Sequence, residues 1–355
     1  MVSSPRIAAV RTSLPPATMD QQALWDGYFA DRYGDDARAK RIWRSAGVRT
    51  RHAVVDPRVE DVSGWGTEAR MRRFVEEAPR LGKDAVSTAI HASGIAAADV
   101  GLFAVVSCTG YATPGLDIVL ARDVGMADTV QRLSIGHMGC YAAIPGLGVV
   151  ADFVSAHQRP AVLLCCELTS LHIQPATMPA GRLDAGDVEQ IVSHALFADA
   201  AAAVVVTPDA GGVEVVDIEA RTDAGTSDHM TWDITDLGFR MGLSPRVPGV
   251  LARQVGPAVV ALLARHGLTT ADVAAWAVHP GGPRIVEVVA DALGLDESAV
   301  RVSFDVLRDC GNCSSATVLL VLERALAERT PTAGDPVVML AFGPGLTLYA
   351  ALLRA

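Results

Sequence analysis

Short apolar runs rich in Val, Ile and Ala alternate with alanine-rich stretches along all 355 residues. Buried strands and the helices that cover them give this pattern. The alternation occurs twice, in the same order, on either side of residues 208–212, so we expect a duplicated α/β fold with buried parallel sheets. The predicted strands are Ile7–Val10, Leu102–Cys108, Val162–Cys166 and Ala200–Thr207, then Val213–Arg221, Ala275–His279, Val337–Phe342 and Leu346–Leu353.

The duplication divides the chain into two halves, residues 1–208 and residues 209–355. Residues 17–80 are polar, rich in arginine and helical in pattern, which indicates an insertion on the first half. The other predicted helices lie near residues 85–96, 114–124, 142–155, 251–265, 283–293 and 314–329.

Composition excludes several classes of protein. Half of the residues are apolar and 20% are charged, which favours a large folded core over a disordered chain. The net charge of −10 disfavours nucleic acid or an anionic membrane as a partner, so an anionic ligand would need a local basic patch. No run of about 18 uncharged apolar residues predicts a membrane span. Six cysteines are too few for a disulfide scaffold, and we expect a reducing cytoplasm.

Cys140 is the first candidate for chemistry. The glycine before it allows a tight turn from a strand into a helix. A helix that begins just after Cys140 would place the sulfur near the positive end of the helix dipole, where a thiolate is favoured. A buried structural cysteine would show the same local pattern.

His279 and Asn312 also stand at the ends of predicted elements. His279 ends a buried strand and opens the loop His279–Arg284, which contains two prolines and two glycines. Open α/β sheets place ligand groups at such strand ends, although a lone histidine in a loop can equally be a surface residue. Asn312 precedes the helix predicted from Ser314, where asparagine is commonly a cap or a turn residue.

Two further motifs carry little weight. Cys310 and Cys313 form a CxxC pair, but without a second ligand pair or a thioredoxin-like context it is weak evidence for zinc or redox chemistry. The segment Gly343–Gly345 opens a strand rather than a helix, so it is not a dinucleotide-binding fingerprint.

Five motifs together resemble the type III polyketide synthases of the chalcone synthase type, in the thiolase superfamily. The resemblance covers nearly the whole chain and implies a thiolase-like α/β fold, in which duplicated βαβαβαββ halves form a five-layered αβαβα core. The motifs are Gly139–Ala142, Leu196–Ala201, His279–Pro283, Gly311–Ser315 and Phe342–Gly345.

The resemblance implies an acyltransferase that extends an acyl-CoA starter by iterative decarboxylative condensation of malonyl-CoA and then cyclises the product. Cys140 would take the starter as a thioester, which splits one difficult step into two. His279 would hold Cys140 as a thiolate–imidazolium pair. His279 and Asn312 would donate hydrogen bonds to the enolate that forms when malonyl-CoA loses CO2.

The resemblance also implies which residues surround the reaction centre. Phe197 matches a gate between the coenzyme A tunnel and the cavity, and Met241 stands where the family usually has a second phenylalanine. Trp232 and His172 are bulkier than the Gly and Thr of chalcone synthase itself, so we expect a small or slender starter, including malonyl-CoA itself. The positions that match cavity-lining residues are Cys108, Thr113, Thr169, His172, Trp232 and Ser314, of which Thr113 would reach across a dimer into the partner's cavity.

Arg38, Arg41 and Arg44 are the expected ligands of the coenzyme A phosphates. They recur every three residues and so share one face of a helix, and the planar guanidinium suits phosphate. A third family position, usually lysine, is Ser45 here, so Arg44 is the expected substitute. The resemblance further implies a homodimer that needs no metal or redox cofactor, because coenzyme A carries the acyl groups.

Two other functions stay open at this point. A ketoacyl synthase III-like acyltransferase would perform a single condensation with an acyl carrier protein, although the HPGG and FGPG motifs favour the polyketide synthases. A non-catalytic thiolase-fold protein that binds acyl-CoA would not need Cys140, His279 and Asn312 together.

Overall fold

A computed structural model describes residues 4–34, 36–175, 183–208 and 211–355. The strands are β1 (Arg6–Ser13), β2 (Thr18–Asp20), β3 (Thr50–His52), β4 (Leu102–Ser107), β5 (Gln131–Gly136), β6 (Ala161–Leu168), β7 (Asp199–Thr207), β8 (Val213–Thr222), β9 (Met230–Thr235), β10 (Gly238–Leu243), β11 (Ala275–Val278), β12 (Pro336–Gly343) and β13 (Thr347–Arg354). The helices are α1 (Gln21–Leu24), α2 (Ala30–Tyr33), α3 (Ala37–Arg44), α4 (Thr67–Ser93), α5 (Leu116–Val124), α6 (Ala143–His157), α7 (Ala185–Leu196), α8 (Val247–Ala264), α9 (Pro283–Leu293), α10 (Glu297–Cys310) and α11 (Thr317–Arg329).

The main sheet repeats one topology. Its strand order is β11-β12-β13-β8-β1-β7-β6-β4-β5, and β1 and β8 pair only at Arg6–Glu214 and Ile7–Val213, so two halves of the sheet meet at a short seam. The strands β4, β6, β7 and β1 of the first half correspond in order and direction to β11, β12, β13 and β8 of the second. This correspondence confirms the predicted duplicated α/β fold.

The prediction of parallel sheets holds for only part of the sheet. Within each set of four corresponding strands, the first pair is parallel and the next two pairs are antiparallel. Strands β12 and β13 are joined by residues 344–346 alone, and so short a connection permits only antiparallel neighbours. Mixed sheets with both faces covered have the same apolar strands as parallel ones, so the sequence pattern does not separate them.

Helices form three layers around the two halves of the sheet. Helices α6 and α11 lie between the halves, since α6 contacts β4 and β13 and α11 contacts β1 and β11. Helices α4 and α5 cover the outer face of the first half, and α8, with α9 packed against it, covers the second. Buried apolar clusters fill the spaces between the layers. The arrangement is the predicted five-layered αβαβα core.

The predicted insertion at residues 17–80 is shorter than expected. Helix α4 already begins at Thr67 and packs against β1, β6 and β7, so residues 67–80 belong to the core layers. Their pattern is polar because Phe74 and Ala78 are buried while charged residues occupy the exposed side of the same turns. Residues 17–66 contain β2, β3 and α1–α3.

The connection between the halves runs from the end of β7 at Thr207 to the start of β8 at Val213. The predicted boundary at residues 208/209 falls in this connection, of which residues 209–210 lie outside the described residues. A division into two domains at this point stays a prediction.

One helix of the described residues, α8, is long and apolar enough to cross a membrane, with a mean hydropathy of 1.5. It also carries a charge, Arg253, near its middle. The face that includes Val255, Val259 and Leu262 is buried in the apolar cluster outside the second half of the sheet. The helix therefore packs as a core helix does.

Candidate active site

Cys140 lies in a tight turn between the end of β5 and the start of α6. The turn passes through Gly139, whose φ of +82° disfavours any residue with a side chain. A Cβ atom on Gly139 would lie 2.7 Å from Cδ of Pro344, so the loop after β12 packs directly on this turn. Cys140 is buried, and α6 begins just beyond it at Ala143, as the local pattern predicts.

His279 directly follows β11. Its backbone N–H donates to the carbonyl of Leu340 at 2.7 Å, which continues the pairing of β11 with β12. Its side chain is only 1% exposed, and neither ring nitrogen has a hydrogen-bond partner within the described ranges. A neutral imidazole in this state can accept a proton on one nitrogen and donate a hydrogen bond from the other.

Asn312 lies in the turn between α10 and α11. Gly311 precedes it with a φ of +74°, and a Cβ atom there would lie 3.0 Å from the carbonyl oxygen of Leu196. The side-chain oxygen Oδ1 accepts hydrogen bonds from the Ser314 N–H at 2.9 Å and the Thr317 hydroxyl at 3.3 Å. The amide nitrogen Nδ2 is therefore the group that Asn312 can offer to a ligand as a donor.

These three side chains line one cavity of about 490 Å³. The two expected gate residues, Phe197 and Met241, line the same cavity. The remaining wall is largely apolar and comes from α3, α7, the β9–β10 hairpin, α8 and the start of α9. Residues from both halves of the chain therefore form a single chamber that is suited to an acyl chain and to a reactive carbanion.

Burial sets the protonation states of the two titratable groups. Burial raises the pKa of the Cys140 thiol to about 12, and burial lowers the pKa of His279 to about 3. The Cys140 sulfur lies 3.5 Å from the Ser314 hydroxyl oxygen, and no hydrogen bond joins it to His279. Burial therefore disfavours each charge of the expected thiolate–imidazolium pair on its own, and the pair stays a prediction.

Trp232 and His172 fill the space beyond Phe197. The indole N–H of Trp232 donates to the carbonyl of Cys108 at 2.7 Å, and the ring packs edge-on against His172 with 5.6 Å between centroids. Hydrogen bonds hold both ring nitrogens of His172. A cavity of only about 30 Å³ lies here, and its wall includes the two rings together with Thr169 and Phe197.

Cys108 and Ser314 lie beside Cys140. The Ser314 hydroxyl oxygen is 3.2 Å from the Cys108 sulfur and 3.5 Å from the Cys140 sulfur. Sequence reasoning missed Glu167, a fully buried carboxylate that accepts hydrogen bonds from the Cys108 N–H and the Ser315 hydroxyl. Burial raises the pKa of Glu167, and these hydrogen bonds act in the opposite direction. A glutamate in the otherwise apolar strand β6 is the signal that could have identified it.

Thr113 is the one predicted cavity residue that lies on the molecular surface. It lines neither the large nor the small cavity of its own chain. A role for Thr113 in a partner's cavity stays a prediction.

The three arginines predicted to bind coenzyme A divide between two places. Arg38 lines the large cavity, whereas Arg41 and Arg44 border a shallow depression beside it, on the surface of α3. Sequence reasoning missed a further cation of the large cavity, Arg284, which lies at the start of α9 and pairs with Glu287 at 3.0 Å. Its place directly after the His279–Pro283 motif was a usable signal.

Comparison with known proteins agrees with the motifs. The model of the N-terminal domain of chalcone and stilbene synthases matches residues 3–210, and the model of their C-terminal domain matches residues 221–355. The 1,3,6,8-tetrahydroxynaphthalene synthase of Streptomyces peucetius subsp. caesius is 35% identical over 98% of this chain and 92% of its own length. The alpha-pyrone synthesis polyketide synthase-like Pks18 of Mycobacterium tuberculosis is 30% identical over 89% of this chain and 81% of its own.

Solved structures give the same result. The 1,3,6,8-tetrahydroxynaphthalene synthase of Streptomyces coelicolor A3(2), described as a bacterial type III polyketide synthase, superposes with a TM-score of 0.90 at 29% identity, over 98% of this chain and 99% of that one. PKS-I of the brown alga Ectocarpus siliculosus gives a TM-score of 0.89 at 29% identity, over 100% and 99% of the two chains. The protein belongs to the chalcone and stilbene synthase family, and it is a type III polyketide synthase with the thiolase-like fold.

Proposed function

We propose that this enzyme extends an acyl-CoA starter by iterative decarboxylative condensation of malonyl-CoA, with the growing chain held as a thioester on Cys140. The observation that carries the proposal is the single apolar cavity lined by Cys140, His279 and Asn312. A nucleophile, a base and an amide donor in one largely apolar chamber are the components that this chemistry needs.

Loading begins with proton transfer from Cys140 to His279. Burial disfavours a charge on either group alone, so the thiolate forms as part of a pair with the imidazolium, and each charge then offsets the other. The thiolate attacks the thioester carbonyl of the starter. A new carbon–sulfur bond forms, the bond to coenzyme A breaks, and the proton held by His279 leaves with the coenzyme A thiol.

Extension uses the donors of His279 and Asn312. The thioester oxygen of malonyl-CoA accepts hydrogen bonds from an imidazole N–H and from Nδ2 of Asn312. As the carbon–carbon bond to the carboxylate breaks and CO2 departs, negative charge moves onto this oxygen, where two oriented donors stabilise it. The enolate carbon then attacks the acyl group on Cys140 and expels the thiolate, which leaves the chain two carbons longer on coenzyme A.

The starter is small or slender, and malonyl-CoA itself fits this description. The support is the cavity of about 30 Å³ beyond Phe197, which the rings of Trp232 and His172 leave almost filled. Two relatives are named for a tetrahydroxynaphthalene and an alpha-pyrone, both of which are cyclised products, and cyclisation is proposed for this chain as well.

The phosphates of coenzyme A bind at the mouth of the large cavity. Arg38 and Arg284 line this cavity, and Arg41 and Arg44 extend the positive charge onto the surface of α3. Because the chain as a whole carries a net charge of −10, this local excess of arginine distinguishes the mouth from the rest of the molecule.

The enzyme works as a homodimer in the cytoplasm. Strand β5 lies at the edge of the sheet with most of its residues exposed, including Leu133, and an uncovered edge strand is suited to pairing with a second copy. All six cysteines are unpaired and buried, which is compatible with a reducing compartment.

A substrate comparison tests the proposal. The purified protein is incubated with malonyl-CoA alone, with malonyl-CoA plus a panel of acyl-CoA starters, and with a malonylated acyl carrier protein, and products are identified by mass spectrometry. We expect products of two or more extensions from the coenzyme A substrates. A single condensation that requires the carrier protein would favour a ketoacyl synthase III-like enzyme, and a lack of any turnover would favour a non-catalytic acyl-CoA-binding protein.

A further inference from the structure

The C-terminal end of α7 lies beside the cavity, and its last carbonyl groups need partners from outside the helix. Arg51, on strand β3, supplies most of them. One terminal nitrogen of its guanidinium donates to the carbonyls of His194 and Phe197 at 2.7 Å each, and the other donates to the carbonyl of Ala195 at 2.6 Å. A single side chain thus holds the backbone of the gate residue Phe197.

The remaining carbonyl at this helix end belongs to Leu196, and it accepts a hydrogen bond from the backbone N–H of Asn312 at 2.8 Å. The carbonyl of Asn312 in turn accepts from the N–H of Ala198 at 2.9 Å. The backbone that carries the Asn312 amide is therefore hydrogen-bonded on both sides to the segment that Arg51 holds.

Arg51 is buried in an unusual way. It is 4% exposed, and no carboxylate of the described residues forms an ion pair with it, although the charge of the buried Asp199 acts on it from a greater distance. A guanidinium is costly to bury unless its charge is offset. Here the carbonyl groups at the negative end of the α7 dipole provide the compensation, together with the side-chain oxygen of Gln21 and the face of the Trp43 ring.

We propose that Arg51 is a positioning residue, which sets the place of the gate Phe197 and, through the end of α7, the place of the Asn312 carboxamide. The inference rests on the proposed function, because that proposal gives Asn312 the developing enolate and Phe197 the passage between the cavities. Arg51 lines the small cavity beyond Phe197 and not the large cavity that contains Cys140, His279 and Asn312.

The test separates two partial reactions. In Arg51→Met the side chain keeps much of its bulk but loses its hydrogen bonds to the carbonyls. We expect acylation of Cys140 by a starter to fall by less than about threefold, because it depends on Cys140 and His279. We expect malonyl-CoA decarboxylation, which depends on Asn312, to fall roughly ten- to a hundredfold, the cost of a misplacement near 1 Å. Arg51→Lys keeps the charge but has fewer donors, so its decarboxylation rate should lie between those of the wild-type protein and Arg51→Met.

Two control variants identify a purely structural effect. Leu263→Ala removes a buried side chain of α8, in the outer cluster of the second half, and lowers stability without reaching the gate segment. Arg49→Met removes a largely exposed arginine two positions away, which pairs with Asp309 at 3.0 Å. In both, the ratio of decarboxylation to acylation should stay at the wild-type value.

The proposal is overturned if this ratio in Arg51→Met equals that of the two controls. If Arg51→Met does not fold, Arg51→Lys and Gln21→Met decide the question, since Gln21 donates to the carbonyl of Ala195 at 3.0 Å and accepts from Arg51. A wild-type ratio in both would also overturn it. Failure of the wild-type protein to decarboxylate malonyl-CoA would instead count against the proposed function.

Discussion

Under the proposed function, Trp232 is the residue whose size we expect to limit the substrate most directly. Its indole donates to the Cys108 carbonyl and packs against His172, so it cannot rotate away without losing a partly buried hydrogen bond. In Trp232→Gly we expect longer products or acceptance of bulkier starters, measured by mass spectrometry of the reaction mixture. Trp232→Phe, which keeps a ring, should leave the products unchanged. An unaltered product range in Trp232→Gly would show that another wall limits the chamber.

The buried histidine His279 makes stability depend on pH. Its pKa is lowered by burial from 6.5 to about 3, so below pH 6.5 the unfolded chain binds a proton that the folded chain does not. This contribution to stability is complete above pH 6.5 and is lost as the pH falls. Between pH 6.5 and 5 the free energy of unfolding falls by about 2 kcal/mol from this cause.

Urea unfolding at pH 7 and pH 5 measures this dependence. The loss of unfolding free energy on acidification should be smaller in His279→Leu than in the wild-type protein by that amount. Comparing the two proteins cancels the contributions of the other buried groups, such as His194 and Asp199. Equal losses in both would mean that His279 is protonated in the folded state.

At the scale of single residues, the sequence identifies the reactive side chains but not their protonation states. The motifs around Cys140, His279 and Asn312 predicted one shared chamber, and the three side chains line one cavity. Their protonation depends on burial and on partners contributed by distant segments, which no local pattern records. The arginines of α3 illustrate the same limit, since helical spacing predicts a shared face but not that only Arg38 lines the large cavity.

At the scale of structural elements, the turn that carries Cys140 depends on a glycine. Gly139→Ala would force a left-handed backbone, at a cost of roughly 1–2 kcal/mol, and would also push Cβ to within 2.7 Å of Pro344. We expect a greater loss of thermal stability than backbone strain alone would cause, together with a loss of Cys140 acylation, because the turn must move.

Gly125 provides a matched control. It has the same φ of +82°, at the end of α5, but a Cβ atom there would meet no atom within 4 Å. Gly125→Ala should therefore show the strain alone and retain full activity. If the two alanine variants lose equal stability and both stay active, the packing of the loop after β12 against the Cys140 turn does not matter for the reaction.

The sequence predicted buried strands well and exposed elements poorly. Strands such as β6 and β7 are continuous apolar runs and were found within one or two residues of their ends. Strand β5 was missed, because most of its residues are exposed and only Leu133 and Ile135 are apolar. The β9–β10 hairpin was also missed, although apolar residues alternate along both of its strands and it supplies Trp232 and Met241.

For the whole molecule, the duplicated core leaves one strand without a counterpart. The first half adds β5 outside β4, whereas the chain between β11 and β12 contains only helical elements among the described residues. The sheet therefore ends on one side in an exposed strand. This asymmetry, which repeated patterns in the sequence did not indicate, is where we expect the second subunit to bind.

Leu133→Asp tests this assembly. A charge in the centre of β5 should weaken pairing between two copies, and analytical ultracentrifugation should show a shift from about twice the chain mass of 37.1 kDa towards a single chain. Val260→Asp, at another exposed apolar residue, on α8, should leave the dimer intact. A wild-type protein that sediments as a single chain would contradict the proposed homodimer.

The central claim is that Cys140, His279 and Asn312 act as one reaction centre, and a single experiment addresses it. Cys140→Ala and Asn312→Ala are each incubated with malonyl-CoA and a starter acyl-CoA, and released CO2 and acylated peptides are both measured. We predict that Cys140→Ala still releases CO2 but forms no product, whereas Asn312→Ala carries the acyl group on Cys140 but releases no CO2. Normal turnover in Asn312→Ala, or an acyl group on a residue other than Cys140, would contradict the account.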